Sequence, residues 1–469
     1  MSPCAGFPTT RKIDGLTVAF AGILFVSIVL RIYIASSGGH FYWPDEGRIR
    51  ASLAAAQAIL QGDILAGFRF DKMGIDHLGF KIIATLPVLA DVRAGTNYAV
   101  ASVFFSLISA GNIALVACIA QRLGWTRRQA VLSAFCMAAS SSGLYWARHF
   151  MPYDLAMMFA LAALYCALGT SKSGRDYFLT GLFSALAFIT YNGYWTMGLL
   201  ALLLCCIKSP DRLRRSPRLV WLYSVGFGSI LLGTLLLTGR TIPGLVHDYL
   251  SFSKSIDQGD FSEGYIFILK YFWVSEKFLL VFWLVSLAAC LKIYADERSR
   301  SLGMLLFCVL FLYCVLAILS TGVHVFVLYG RICRQFIPFC SLLAAYFLSY
   351  AGVGGLRQVG RTVAVLTAVS AIALLNFTPI VRQRFPADFR EYVAKHHPEA
   401  TGEGYAFVNA QYFYPAPSAG PDRVIADVLE RTPHPLQYKP YQFEGYTRSE
   451  RERIDKTDVA MKFVALGRW

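Results

Sequence analysis

The feature that most constrains this chain is a series of apolar stretches. Each approaches or exceeds the ~20 residues that carry a helix across a bilayer. We place eleven of them, at 16–36, 97–121, 129–147, 154–170, 177–190, 193–207, 219–239, 265–291, 302–320, 335–351 and 362–381. Lipid offers no partner to a backbone amide or carbonyl, so these stretches are expected to be helices. Only 16% of the 469 residues are charged, against ~25% in soluble domains, which excludes a water-soluble enzyme of this size. The expected fold is therefore an all-α polytopic membrane protein. The fifth and sixth stretches are short and flank Tyr191, Asn192 and Gly193; they are either two spans or one bent helix.

Charge orients this layout. With the first terminus inside, the cytoplasmic segments carry 17 basic and five acidic residues, from Arg11 and Lys12 through to Arg357 and Arg361. The outer first loop (36–95) has six of each sign, and the tail after Arg382 has twelve of each. Most of the net charge of +15 thus sits on the inner face, as the positive-inside rule requires, where it meets anionic lipid. Nucleic acid is excluded as a partner. The expected location is a bacterial inner membrane, with the outer loops in the periplasm. The first span is read as an uncleaved anchor rather than a signal peptide, with Arg31 near its outer end snorkelling to the interface.

Two outer segments are not simply polar. Residues 46–60 read as a helix with Ile49, Leu53, Ala56 and Leu60 on one face, and 78–90 as a short apolar helix. Both suit helices lying on or dipping into the membrane surface. From Phe385 onward the composition turns polar and turn-rich, with helices near 386–397 and 422–431 and strand-like runs at 405–409 and 460–466. The expected domains are thus 1–382 in the membrane and 383–469 as a small periplasmic α/β domain. The eleven cysteines lie mostly in apolar stretches without metal or disulfide spacing, so they read as packing residues.

Ionisable residues at span ends are the candidates for chemistry, because burying a charge in lipid costs ~2.5–3.5 kcal/mol or more. Asp45 and Glu46 follow Trp43 and Pro44 in FYWPDEGRIR; a helix cap is the plainer reading. Asp154, in ARHFMPYDLAMMF, stands at an outer mouth with Arg148 and His149 on the same turn; it too could be a cap. His324, Tyr329, Arg331 and Arg334 form a late outer cluster, and arginine can hold phosphate by two hydrogen bonds at once. Lys270 lies near the outer end of the eighth span. Glu276 and Lys277, next to it, read as interior ion-pair partners without an assigned role. By the topology, Asp45, Asp154 and Arg331 face one side at similar depth, as residues lining a shared polar cavity would.

In their order these segments resemble the GT-C glycosyltransferases, in the branch of the protein O-mannosyltransferases and the lipid A aminoarabinose transferase. The resemblance covers residues 15–350: PDEGRIRASLAAAQAIL, DHLGFKIIATLPVLA, AQRLGWTRRQA, ARHFMPYDLAMMF and RQFIPF. His77 stands where many members have Lys or His, but Leu78 and Gly79 replace the prolines that follow there. Tyr191, Asn192 and Gly193 replace a common Lys-Gly pair.

The resemblance implies a sugar donor carried on a polyprenyl phosphate and an extracytoplasmic glycan, lipid or protein acceptor. It implies a single inverting displacement with Asp45 as general base and Asp154 orienting the acceptor or the base, with Glu46 as second choice. His77, Arg331, Arg334 and Lys270 would meet the donor phosphate, and Arg148 and His149 the acceptor side. A divalent metal is compatible with the carboxylates but not required, and no other cofactor is implied. The competing classes are a lipid-linked glycan flippase or transporter and a glycan ligase or polymerase; charges at the outer mouth rather than the midplane argue against a carrier.

Overall fold

The computed structural model describes residues 14–36, 43–63, 77–95, 99–147, 150–169, 174–208, 218–239, 241–244, 264–323, 330–351, 356–382, 405–408 and 412–415, with His247 and Leu328 besides. Its main helices are α1 (Gly15–Ser36), α2 (Trp43–Leu60), α3 (Leu78–Ala94), α4 (Ala99–Arg122), α5 (Arg127–Ala138), α6 (Ser141–Trp146), α7 (Pro152–Ala167) and α8 (Gly174–Thr190). They continue with α9 (Trp195–Lys208), α10 (Arg218–Thr238), α11 (Gly264–Glu276), α12 (Phe278–Glu297), α13 (Arg300–Ala317), α14 (Gly330–Cys333), α15 (Ile337–Ala351) and α16 (Leu356–Arg382). Among the described residues six segments are long and apolar enough to cross a membrane: Gly15–Ser36, Ala99–Arg122, Arg218–Thr238, Phe278–Glu297, Arg300–Gly322 and Gly330–Tyr350. Exposed apolar side chains such as Phe25, Leu236 and Leu375 cover the outside of the bundle, the surface a bilayer solvates. The chain is a multi-pass helical membrane protein whose core is built on α4, α7, α9 and α15.

Every expected stretch carries helix, but two are broken. The third splits at Ser140 into α5 and α6, and the eighth splits at Lys277 into α11 and α12. One interaction accounts for both breaks. The Glu276 carboxylate accepts from the hydroxyls of Ser140 (2.7 Å), Ser141 (2.7 Å) and Ser142 (2.6 Å). It also accepts from the backbone amides of Ser141 (2.9 Å) and Ser142 (3.0 Å). Five donors satisfy a charge that is fully buried. Lys277 turns the chain with φ 50°, a rare conformation for a residue with a side chain. It is exposed, so the expected Glu276–Lys277 ion pair does not form; serines take its place.

The connection at Tyr191, Asn192 and Gly193 joins two helices, not one bent helix. Tyr177 Oη on α8 reaches the Cys205 carbonyl on α9 at 3.5 Å, and a Cβ on Gly198 would meet Ser184 at 3.1 Å. The two helices therefore run antiparallel as a hairpin.

Helices α2 and α3 also form a packed pair. The buried face of α2 is Ala51, Ser52, Ala55 and Ala56, whereas Leu60 is 46% exposed. Of the expected stripe, Ala56 is buried and Leu53 packs partly buried against the core, while the small residues Ala51, Ser52 and Ala55 let α3 approach closely enough for Ser52 Oγ to donate to the Lys81 carbonyl at 3.0 Å. Arg31 corrects a second expectation. It does not snorkel; it is 2% exposed and points into the bundle, its Nε donating to Ser109 Oγ (3.0 Å) and its Nη1 to the Ser27 carbonyl (3.2 Å). At the other end of α1, Asp14 accepts from the Thr17 hydroxyl and amide and pairs with Arg127. Those bonds hold its carboxyl below its ordinary value, the Thr17 hydroxyl contributing most.

Beyond Arg382 the described residues form one antiparallel hairpin, β1 (Tyr405–Val408) with β2 (Tyr412–Pro415), Tyr405 opposite Pro415. The first strand falls on the expected run at 405–409. The other elements expected of an α/β tail lie outside the described residues.

Helices α8 and α10 meet through reciprocal glycines. A Cβ on Gly181 would lie 2.0 Å from the Tyr223 carbonyl oxygen, and one on Gly226 would lie 2.1 Å from that of Phe178. Backbone cannot yield as a side chain can. Gly226→Ala is expected to lower the melting temperature in detergent by forcing α8 and α10 apart, at ~1–3 kcal/mol. Gly228→Ala, which meets nothing within 4 Å, should leave it unchanged.

Candidate functional site

Proline at the first position of α7 has the φ a helix start needs and no amide to leave unpaired. The first turn that follows carries Asp154. The alternative of a plain cap fails, because its carboxylate forms an ion pair with Arg334 Nη2. Both side chains are buried, at 7% and 3% exposure. Asn112 on α4 donates to the Asp154 carbonyl at 2.9 Å, which fixes the turn from a third helix. Arg31 lies within the electrostatic field of both partners.

Arg334 stands in the 3-10 turn Arg334–Phe336 between α14 and α15. The neighbouring Gln335 fastens that turn. Its Nε2 donates to the Gly193 carbonyl (3.0 Å), and its Oε1 accepts from Thr196 Oγ1 (2.7 Å). Gly193 is needed there: a Cβ would sit 2.7 Å from the Tyr191 ring and 3.2 Å from Ile332. Arg334 Nε and Nη1 are buried with no hydrogen-bond partner among the described residues, and so is Tyr194 Oη close by.

An aromatic chain links Arg334 to His77. The Arg334 guanidinium lies 5.8 Å from the Trp146 ring centre. Trp146 meets Tyr153 edge-on at 4.9 Å, Tyr153 meets Tyr191 edge-on at 4.9 Å, and Tyr191 stacks on His77 at 4.9 Å and 15°. Arg331 joins midway, donating from Nη1 to Tyr153 Oη at 2.8 Å. His77 is 2% exposed, with φ 64° at the head of α3 and Nδ1 at 3.2 Å from the Thr190 carbonyl. Gly79 permits this approach, since a Cβ there would lie 2.6 Å from Thr190 Oγ1. The glycine that replaces a proline is thus a packing requirement of this chain.

Asp154, Arg331, Arg334 and His77 are therefore brought into one connected region. Lys270 is not visibly part of it; it is exposed on α11, while its neighbour Tyr271 is fully buried. Asp45 and Glu46 lie in the first turn of α2, and their side chains fall outside the described residues. So do Arg148, His149, His324 and Tyr329. Sequence reasoning missed the inward role of Arg31, the aromatic chain and Gln335. A charge inside an apolar helix was the available signal for Arg31; nothing marked Gln335.

Among the described residues Arg334 pairs with Asp154, Arg31 lies in the field of both, and Arg331 donates to Tyr153 beside them. The Arg334 nitrogens left without a partner among the described residues could receive an anion. Among the described residues no three His, Cys, Asp or Glu side chains gather as a metal would need. Asp154, the one described carboxylate here, is already paired with Arg334.

Comparison with solved structures places this fold. The chain superposes on ArnT from Cupriavidus metallidurans bound to undecaprenyl phosphate with a TM-score of 0.54 at 15% identity, covering 97% of this chain and 76% of that one. The apo state of the same protein gives 0.55 at 16%, covering 81% and 69%. The Archaeoglobus fulgidus oligosaccharyltransferase in complex with Zn and sulfate gives 0.50 at 11%, covering 90% of this chain and 57% of that one. No family model matches the sequence, and no curated protein matches it. The chain has the fold of the GT-C membrane glycosyltransferases. At 15% identity with ArnT, the likeness is one of fold.

The Asp154–Arg334 pair predicts a characteristic stability pattern. Asp154→Asn leaves a buried guanidinium uncompensated and is expected to cost ~3–5 kcal/mol. The double variant Asp154→Leu/Arg334→Met removes both charges and should melt above Asp154→Asn. Equal melting of Asp154→Asn and the parent in detergent would show that the pair carries no such burden.

Proposed function

We propose that this protein transfers a sugar from a polyprenyl-phosphate donor to a hydroxyl of an extracytoplasmic glycan, lipid or protein. The observation that carries this reading is the buried Arg334 guanidinium, which spends Nη2 on Asp154 while Nε and Nη1 have no hydrogen-bond partner among the described residues. A guanidinium with open donors suits a phosphate, which it can hold by two hydrogen bonds at once. The fold supports the same class of donor, since a protein of this fold has been captured with undecaprenyl phosphate.

In this reaction the acceptor oxygen attacks the anomeric carbon as the carbon–oxygen bond to phosphate breaks. Charge develops on the leaving phosphate, where Arg331 and Arg334, with His77 across the aromatic chain, stabilise it. Asp154 holds Arg334 in place, so its part is positioning. Asp45, at the head of α2, takes the acceptor proton, with Glu46 beside it. A single displacement inverts the anomeric centre. Lys270, exposed on α11, has no part in this scheme. The charge bias of the loops supports an inner-membrane protein with this site on the periplasmic side. Residues 1–382 then form the transferase domain, and 383–469 an outer domain on the acceptor's side.

The test uses proteoliposomes supplied with labelled polyprenyl-phosphate sugar and an envelope extract as acceptor source. Asp45→Asn is expected to lower transfer by ~10²–10⁴-fold while the protein keeps its parent melting temperature. Full-rate transfer by a folded Asp45→Asn protein removes Asp45 as the base. Movement of the labelled lipid across the bilayer with no sugar transfer by the parent protein identifies a flippase instead.

A further inference from the structure

The opposite end of the bundle carries a second cationic cluster that the proposed reaction does not use. Helix α7 runs from Asp154 to Leu168 at its far end, ~20 Å along the axis at 1.5 Å per residue. Helix α9 runs the same way from Trp195 to Lys208, and α4 from Asn112 to Arg122. Arg122, Lys208 and Arg300 meet where these helices end. Arg122 Nη2 donates to Tyr165 Oη at 2.9 Å, and its guanidinium lies 4.2 Å from that ring's centre. Lys208 Nζ donates to the Leu168 carbonyl. Arg300 Nη2 reaches the carbonyls of Ile207 (3.4 Å) and Lys208 (3.3 Å).

Capping of helix carboxyl ends explains the Lys208 and Arg300 contacts taken singly, and stacking on Tyr165 explains that of Arg122. Neither explains why three cations are gathered so closely that Arg122 and Arg300 both act electrostatically on the Lys208 ammonium. Among the described residues none of the three pairs with a carboxylate. Asp176 acts on Lys208 as the smallest of the influences on it, and most of the nitrogens of the three cations still have donors to offer.

Beside this cluster an apolar seam of about 20 Å³ enters the bundle. Leu123, Leu168, Leu204 and Met304 line its near end, and Pro338 and Leu342 its far end. Each cation stands within about a helical turn of one of the near-end residues in sequence. Leu123 and Met304 are half-exposed, and methionine adapts readily to what it packs against. A charged rim over a wholly apolar seam matches a molecule with an anionic head and a hydrocarbon chain.

We propose that this end of the protein binds one anionic phospholipid of the facing leaflet. Its phosphate rests on Arg122, Lys208 and Arg300, and one acyl chain packs on the half-exposed Leu123 and Met304 at the mouth of the seam. The positive-inside bias puts this end in the cytoplasmic leaflet, away from the proposed transfer site. The site therefore stands or falls separately from the proposed reaction.

The experiment is native mass spectrometry of the full chain released from nanodiscs of equimolar phosphatidylglycerol and phosphatidylcholine. The parent protein should retain phosphatidylglycerol over phosphatidylcholine by about tenfold or more. Arg122→Gln/Lys208→Gln should bring that ratio close to one. Arg127→Gln/Lys292→Gln removes two charges from exposed positions near the same end and should leave the preference intact. Should the first double variant not fold, the exposed Arg300→Gln alone carries the comparison, with a smaller drop expected. The proposal is overturned by equal retention of both lipids, by equal losses in the two double variants, or by displacement of the lipid with inorganic phosphate.

Discussion

The buried ion pair between Asp154 and Arg334 is the constraint around which the rest of the site is arranged. A charge in a membrane interior is tolerated only with compensation, and here it comes from a residue 180 positions away. The pair fixes the start of α7 against the turn ahead of α15. Gln335 then fastens that turn to Gly193 and Thr196, and Asn112 fastens Asp154 to α4. The aromatic chain from Trp146 to His77 carries the arrangement on to the head of α3. Because Arg334 spends only Nη2 on Asp154, its remaining nitrogens stay committed in direction without being consumed.

A second carboxylate sets the frame in which that pair sits. Glu276 gathers Ser140, Ser141 and Ser142, so the head of α6, which carries Trp146, is pinned to the end of α11. Asn376 on α16 donates to the Glu276 carbonyl at 3.0 Å and brings a late helix to the same point. The two acids solve one problem differently. Asp154 is met by a cation whose other donors remain open; Glu276 is met by neutral donors that leave nothing over. On this contrast a ligand belongs at the first and not at the second.

Sequence made the helices legible because hydropathy is a local property, and most expected ends fall within a few residues of the observed ones. Asp154 and Arg334 stood out because ionisable residues at span ends are rare, yet their pairing is a long-range contact that no periodicity encodes. Arg31 was misplaced because helix position alone does not say whether a long side chain turns outward or inward; Ser109 on α4 decided it. The close pairing of α2 with α3 was hidden because hydropathy favours large residues, whereas Ala51, Ser52 and Ala55 carry it. The break at Lys277 was hidden because hydropathy does not register a positive φ. A glutamate inside an apolar run, opposite a run of three serines, was the signal for it.

Seating of a lipid phosphate on the arginines beside Asp154 is tested by a structure of the protein in lipid nanodiscs with undecaprenyl phosphate added. Phosphate oxygens are expected at hydrogen-bond distance, ~2.7–3.2 Å, from Arg331 or Arg334, with Asp154 still holding the latter. A phosphate bound away from both arginines, with Arg334 Nε and Nη1 still unpartnered, would contradict it.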